Sequence, residues 1–274
     1  MIIHSKNFNV KQIAQSGQCF RMNPIDDDSY SLIAHGRFLV LTQIEEETVE
    51  LSCSEEEYSK VWEDYFDMRY DYDGIVQNLL EGTDDFLRKA AEYGRGIRIL
   101  RQESFEAAIS FIISQNKNIP AIKSCIEAIC EQYGERRVSS WSSEVTYYTF
   151  PTPQALATAS REDLRKLKTG YRDEYIIKAS QAFLSCEVDL EDLMRSDGDC
   201  TIKALKSIHG IGDKVANCIA LYGLHHIEVF PVDVWIKRIL KEIYNDEFDQ
   251  SKYDGYAGIV QQYMFYYMRH LQGI

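Results

Sequence analysis

From Ser104 onward the apolar positions recur at helical spacing. Phe105, Ala108, Ile109, Ile112 and Ile113 fall at i, i+3, i+4, i+7 and i+8, which places them on one face of a helix. Pro120 opens a second helix carrying Ile122, Cys125, Ile126 and Ile129 on one side, and Gly134 is its stop. Ser160 and Asp163 have the spacing of a capping box, and Arg172–Cys186 continues the helical pattern. The first hundred residues read differently. Tyr30–Val40 and Val49–Cys53 alternate or are β-branched, with Asp26-Asp27-Asp28 and His35-Gly36 as turn material. Little strand signal follows Pro151. Sheet first and helices after predicts an α+β protein. Its N-terminal antiparallel β-sheet domain is expected over residues 1–98 and an all-helical domain over residues 99–274.

Composition narrows the class. Of the 274 residues 45% are hydrophobic and 27% charged, the profile of a soluble globular chain. The longest apolar stretches, such as Ala107–Ile113, fall far short of the roughly 20 residues that a membrane helix needs. The opening MIIHSKNFNV lacks a basic segment followed by an apolar core, so no signal peptide is expected. Seven scattered cysteines without a framework spacing predict free thiols and an intracellular protein. The expected compartment is a bacterial cytoplasm or nucleoid, or the nucleus if the source is eukaryotic.

Forty-three acidic against 30 basic residues give a net charge of −13, which on average argues against a polyanionic partner. The distribution is uneven, however. Residues 45–89 hold fifteen Asp or Glu and four Lys or Arg, whereas Arg95, Arg98, Arg101, Lys117 and Lys123 face only Glu103 and Glu106 between residues 95 and 123. The later part of the chain is therefore free to meet nucleic acid.

The chemistry concentrates in Ile208–Arg238. A short helix, Thr201–Ile208, leads into His209-Gly210-Ile211-Gly212, and a second helix begins at Asp213. Such a turn presents uncommitted backbone N–H groups at a helix start, which can hold a phosphate without any side-chain charge. Taken alone, Gly-x-Gly before a helix is usually just a turn, Lys214 a surface lysine and Asp233 a helix cap. The pairing changes that reading. A lysine in a first helical turn opposes the helix dipole, and that field with partial burial favours the neutral amine a nucleophile must be. A carboxylate held nearby can steady developing positive charge on a sugar.

Gly210-Ile211-Gly212-Asp213-Lys214-Val215-Ala216, followed by Pro231-Val232-Asp233-Val234, resembles the helix-hairpin-helix DNA glycosylase superfamily, and more narrowly its 8-oxoguanine DNA glycosylase/lyase branch. The likeness extends along nearly the whole chain. It includes Ser16-Gly17-Gln18-Cys19-Phe20-Arg21, Arg98-Ile99-Leu100-Arg101-Gln102, Ser114-Gln115-Asn116-Lys117-Asn118-Ile119, Gly170-Tyr171-Arg172, Tyr256-Ala257-Gly258, Gln261 and Phe265.

The resemblance implies a bifunctional enzyme that flips 8-oxoguanine out of duplex DNA, excises it through a lysine Schiff base and cleaves the strand by β-elimination. Lys214 would be the nucleophile and Asp233 the carboxylate steadying the sugar. Gly17, Cys218, Gln261 and Phe265 would recognise the base, with the Gly17 carbonyl accepting the lesion's N7–H. Asn116, Tyr171 and Arg172 would fill the gap and meet the opposing base. Gly210, Gly212 and Val215 would hold phosphate through their backbone, with Lys117, Arg172, Lys237 and Arg238 nearby. Where the branch's best-known members have a second arginine for the orphan cytosine, this chain has Ala121, which implies blunted cytosine preference.

The expected partner is double-stranded DNA containing a damaged base, met by a monomer with no membrane. Three rivals remain. Iron–sulfur glycosylases of the superfamily carry a four-cysteine cluster, and no cysteine follows Cys218. A monofunctional alkylated-base glycosylase would lack Lys214. A non-catalytic helix-hairpin-helix module would need neither Lys214 nor Asp233. Adjacent His225 and His226 cannot readily face one metal, and no Cys-x-x-Cys occurs, so neither metal nor cofactor is expected.

Overall fold

The computed structural model describes residues 1–142 and 144–273. Strand β1 (Ile2–His4) leads to helix α1 (Val10–Gln15), and four strands follow: β2 (Met22–Pro24), β3 (Ser29–Ala34), β4 (Arg37–Glu45) and β5 (Thr48–Leu51). They form one antiparallel sheet in the order β1-β5-β4-β3-β2. The expected run Tyr30–Val40 is two strands, because His35 and Gly36 both take left-handed backbone and turn the chain back on itself. Period-two alternation puts Tyr30, Leu32, Leu39, Leu41 and Leu51 on one buried face, against Ile13 of α1 and the aromatic trio Trp62, Tyr65 and Phe66.

The acidic stretch that follows is helical, which the sequence reading did not anticipate. It comprises α2 (Glu55–Glu57), a π turn at Tyr58–Trp62, α3 (Glu63–Tyr65), α4 (Tyr72–Glu81) and α5 (Asp85–Gly94). Asp71 and Asp84 cap α4 and α5, accepting from Gly74 and Leu87 N–H. The acids lie outward, while Tyr72, Ile75, Val76 and Leu79 turn inward at i, i+3, i+4 and i+7. These side chains join the helical core rather than the sheet core. Packing thus changes hands between Phe66 and Tyr72, although Leu100 still joins the sheet core and Phe20 the helical one.

The rest is helical as expected apart from one small hairpin. Helices α6 (Ser104–Ser114) and α7 (Ile119–Tyr133) are joined by Gln115–Asn118, and Asn118 caps α7 through Ala121 N–H at 3.0 Å. The hairpin is β6 (Arg136–Val138) with β7 (Thr146–Tyr148). Then come α8 (Pro153–Ala157), α9 (Arg161–Lys166), α10 (Arg172–Leu184), α11 (Leu190–Arg195), α12 (Gly198–Leu205), α13 (Asp213–Gly223), α14 (Val234–Glu242) and α15 (Ala257–Leu271). Ser160 caps α9 through Asp163 N–H. Residues 106–113 of α6 are buried all round, and α13 packs along this helix.

Arg21, fully buried after the sheet's entry loop, joins the two cores. It donates to Glu127 of α7 at 2.9 and 3.3 Å and to the Tyr148 carbonyl at 2.7 Å. Glu106 of α6 is buried in the same region, and burial pushes its carboxyl up to about 8 although Arg21 opposes the shift. The folded value lies above the unfolded one near 4.5, so this group lowers stability progressively as pH rises from about 4.5 to 8. Glu106→Gln should therefore be more stable than wild type by about 2–4 kcal/mol at pH 8. Denaturant titrations should show the gain disappearing near pH 4.

Candidate active site

Ile208 and Ile211 are buried and anchor the turn between α12 and α13. Gly210 has φ of +95°, and a Cβ there would stand 2.2 Å from the Tyr175 ring, so both backbone and packing demand glycine. Gly212 precedes α13 with open space around it and offers no side-chain cap. The first amides of α13, at Asp213, Lys214 and Val215, therefore have no intrahelical acceptor, the arrangement that lets a helix start hold an anion. The Val215 side chain itself is buried.

One face of α13 carries Lys214, Cys218 and Tyr222 at i, i+4 and i+8. Half-buried Lys214 donates from Nζ to Ser114 Oγ at 3.4 Å, and the same atom lies 5.5 Å from the Phe111 ring centroid. Phe111 in turn stacks on Tyr222 at 5.2 Å and 19°. The amine is thus held at the end of an aromatic column. Cys218 is buried, and burial pushes its thiol up, against the pull of Lys214.

Asp233 caps α14. Its Oδ1 accepts from Trp235 and Ile236 N–H, both at 2.9 Å. Burial raises the carboxyl above the usual aspartate range, with the Ile236 amide and the Lys214 charge pulling it down. The cap reading and the chemical reading of Asp233 are therefore both available to one side chain, because Oδ1 serves the helix and Oδ2 accepts no hydrogen bond from the described residues.

Opposite α13 runs α15. Gln261 is buried on it and Phe265 half-buried, one turn apart. Gly17 lies against that ring. Its φ is +80°, and a Cβ there would stand 3.3 Å from Phe265 Cε1. The fold thus links these residues pairwise although they span most of the chain: Lys214 and Cys218 share a face of α13, Tyr222 of that face reaches Gln261, and Phe265 one turn on lies against Gly17.

Around the rim, Asn116 has left-handed backbone and donates to the Tyr171 hydroxyl at 3.1 Å. Tyr171 and Ala121 are exposed. Arg172 is held from within the protein. It is 5% exposed, and its guanidinium donates to the carbonyls of Thr169 and Gln115 while stacking 4.4 Å from the Tyr171 centroid. Two of its guanidinium nitrogens thus brace the rim, while its Nε has no partner among the described residues. Lys117 donates to the Lys168 carbonyl at 2.6 Å, and Arg238 pairs with Glu242 at 2.9 Å. Lys237 is exposed on α14.

Sequence reasoning missed Ser114, Phe111, Tyr222 and Gln262. Only Tyr222 carried a signal, its position two turns beyond Lys214 on the same face. His225 and His226 face different places, Asp67 and Thr201 respectively. Among the described residues no cluster of three His, Cys, Asp or Glu is placed to hold a metal ion.

Comparison with known proteins sets this geometry in context. Residues 1–108 match the family described as "8-oxoguanine DNA glycosylase, N-terminal domain". Residues 109–254 match that described as "HhH-GPD superfamily base excision DNA repair protein". A probable N-glycosylase/DNA lyase of Methanothermobacter thermautotrophicus is 33% identical over 74% of this chain and 72% of its own length. An N-glycosylase/DNA lyase of Saccharomyces cerevisiae is 32% identical over 66% of this chain and 50% of its own. The crystal structure of a Clostridium acetobutylicum 8-oxoguanine glycosylase/lyase, bound to DNA with cytosine opposite the lesion, superposes with a TM-score of 0.91. It is 33% identical, over 99% of this chain and 98% of that one.

The double duty of Asp233 separates by substitution. Asp233→Asn keeps the cap and should change stability by a few tenths of a kcal/mol, whereas Asp233→Ala should lose about 1 kcal/mol. Both should slow the reaction by orders of magnitude if the carboxylate acts chemically. In wild type the acidic limb of the rate profile should lie above the ordinary aspartate range, because the ionised form is required and burial raises its pKa. Near-normal activity in Asp233→Asn, with loss only in Asp233→Ala in step with its lower stability, would reduce Asp233 to a cap.

Proposed function

The chain belongs to the 8-oxoguanine DNA glycosylase family of base excision DNA repair proteins, and on that premise we propose how its residues divide the work. It is a bifunctional DNA glycosylase and lyase that excises 8-oxoguanine from duplex DNA. The observation that carries the residue assignment is that Lys214 and Asp233, each at a helix start, lie close enough to share charge, while the Lys214 face of α13 reaches Gln261 through Tyr222 and Phe265 lies against Gly17.

The hairpin amides of Gly210–Val215 hold a phosphate, so binding needs no basic face on this acidic chain. The damaged nucleotide is extruded because its C1′ is unreachable within the stack. Phe265 stacks on the base and Gln261 reads its polar edge. The Gly17 carbonyl accepts from the lesion's N7–H, whereas unmodified guanine presents an acceptor there and is refused. The Lys214 amine attacks C1′ and the base leaves with the bonding electrons. The Asp233 carboxylate steadies positive charge on the sugar in that step. The amine's proton is then lost, ring opening gives a Schiff base, and β-elimination cleaves the strand.

The opposing base is read by less than a full set of donors. Asn116 and Tyr171 stand at the rim, Ala121 has no donor in its side chain, and the Arg172 guanidinium is committed to carbonyls. A missing bidentate contact removes about 1–3 kcal/mol of discrimination. The enzyme acts as a monomer on damaged duplex DNA in this reading. No helix among the described residues is long and apolar enough to cross a membrane.

Lys214→Gln should abolish strand cleavage and borohydride trapping on 8-oxoguanine duplex while DNA affinity persists, because the phosphate contacts are backbone groups. Full base release by that variant would remove Lys214 from the mechanism. Single-turnover excision opposite each of the four bases should show cytosine preference blunted by roughly ten- to hundredfold relative to an enzyme with the arginine. Ala121→Arg should narrow the range towards cytosine. A steep cytosine preference in wild type would contradict this.

A further inference from the structure

Two glutamines of α15 compete for one proton. The Tyr222 hydroxyl lies 2.5 Å from Gln262 Oε1 and 3.3 Å from Gln261 Oε1. All three side chains are buried, so water does not readily settle the contest. Burial also pushes the Tyr222 phenol far above its usual range, which keeps the proton on the oxygen. A phenol has one proton to donate and lone pairs with which to accept.

The other end of Gln262 decides where that proton goes. Its Nε2 donates to the Ser16 carbonyl at 2.8 Å, and a carbonyl can only accept. Gln262 must therefore keep its amide nitrogen toward Ser16 and its oxygen toward Tyr222, which must donate to it. The second amide, Gln261, then meets a phenol oxygen with no proton left. It is satisfied only by turning its NH2 toward Tyr222, which leaves its own oxygen facing the recess. The same tyrosine is tied to the Gly17 loop from behind, since Gln102 Nε2 donates both to the Gln18 carbonyl at 2.9 Å and to the Tyr222 carbonyl at 3.3 Å.

We propose that Tyr222 and Gln262 are positioning residues that set lesion specificity: the Ser16–Gln262–Tyr222–Gln261 chain holds the Gly17 loop in place and orients the Gln261 amide so that its oxygen faces the base. Neither side chain needs to touch the base. The oriented oxygen rewards a purine whose edge donates, as the N1–H and 2-amino groups of an 8-oxoguanine do. It opposes 8-oxoadenine, whose N1 is an acceptor. Both lesions carry N7–H, so the Gly17 arm treats them alike. The inference rests on the reading of Gly17 and Gln261 as base-contacting groups.

That division gives a test that simple loss of structure cannot imitate. Single-turnover excision of 8-oxoguanine and 8-oxoadenine, in otherwise identical duplexes, would be measured for wild type, Tyr222→Phe, Gln262→Leu and Gln262→Glu. Gln262→Leu removes the competing acceptor, returns the proton to Gln261 and turns its NH2 to the recess. The 8-oxoguanine to 8-oxoadenine ratio should then fall about tenfold, one hydrogen bond's worth. Tyr222→Phe keeps the stack on Phe111 but frees the Gln261 amide, and should lower the ratio similarly. Gln262→Glu still accepts from Tyr222 but cannot donate to Ser16, so both rates should drop together and the ratio hold. Equal ratios in all four proteins would overturn the proposal, as would equal ratio losses in the Leu and Glu variants. A wild-type protein releasing no 8-oxoguanine would instead overturn the parent reading, and this one with it.

Discussion

The helix that carries Lys214 is anchored at its far end by a buried carboxylate distant in sequence. Asp67, with left-handed backbone and 3% exposure, accepts from Arg101 Nε at 2.9 Å and Tyr72 OH at 3.0 Å, and lies 3.1 Å from His225 Nε2. Its backbone carbonyl accepts from Arg98 at 2.9 Å. Burial alone would raise the Asp67 carboxyl, yet His225 and Arg101 hold it below the ordinary range. Four segments meet at this one group: the end of the sheet core, the start of α4, the connection into α6, and the loop that leaves α13. Because His225 follows α13 directly, Asp67 pins the C-terminal end of the helix whose first turn carries Lys214. An unpaired carboxylate here would cost several kcal/mol, so these segments are coupled.

That coupling explains how a recess assembled from residues 17, 214, 233 and 261 can be rigid. Helix α13 packs on α6, which is buried on every side, and the Lys214 amine rests over Phe111 of that helix. The entry loop is held from below by Gln18, whose side chain donates to Ser16 Oγ and the Arg98 carbonyl and accepts from Leu100 N–H. The sheet domain contributes to the site through this loop. Its strands contribute by giving the loop a fixed base.

The charge of the chain fits the same economy of means. Apart from buried Asp67, most acids of residues 45–89 sit at the surface of the sheet edge and of α2–α5, away from the uncommitted backbone amides at the start of α13. A net charge of −13 therefore describes the molecule's surface as a whole and says little about the recess.

Much of this was legible along the chain because it is local. Pro120 and Gly134 bound a helix, Ser160 caps one, His35-Gly36 reverse a sheet, and the Gly210–Gly212 turn precedes Lys214; each depends on backbone preferences within a few residues. The helices of residues 55–94 were passed over although Tyr72, Ile75, Val76 and Leu79 have the required spacing, since their acidic residues hide a narrow apolar stripe. Other features had no local signal. The burial of Arg172 depends on carbonyls at 115 and 169, the Asp67 clasp on residues 101 and 225, and the direction of the Gln261 amide on which of two oxygens wins a single phenol proton. Sequence by itself determined the class of fold, most helices after residue 104 and the family resemblance, because propensity and spacing act over short range. Only the tertiary structure decided which polar groups are engaged, because hydrogen bonds between segments distant in sequence, from 57 residues for Arg172 and Gln115 to 246 for Gln262 and Ser16, commit side chains with no local sign of it.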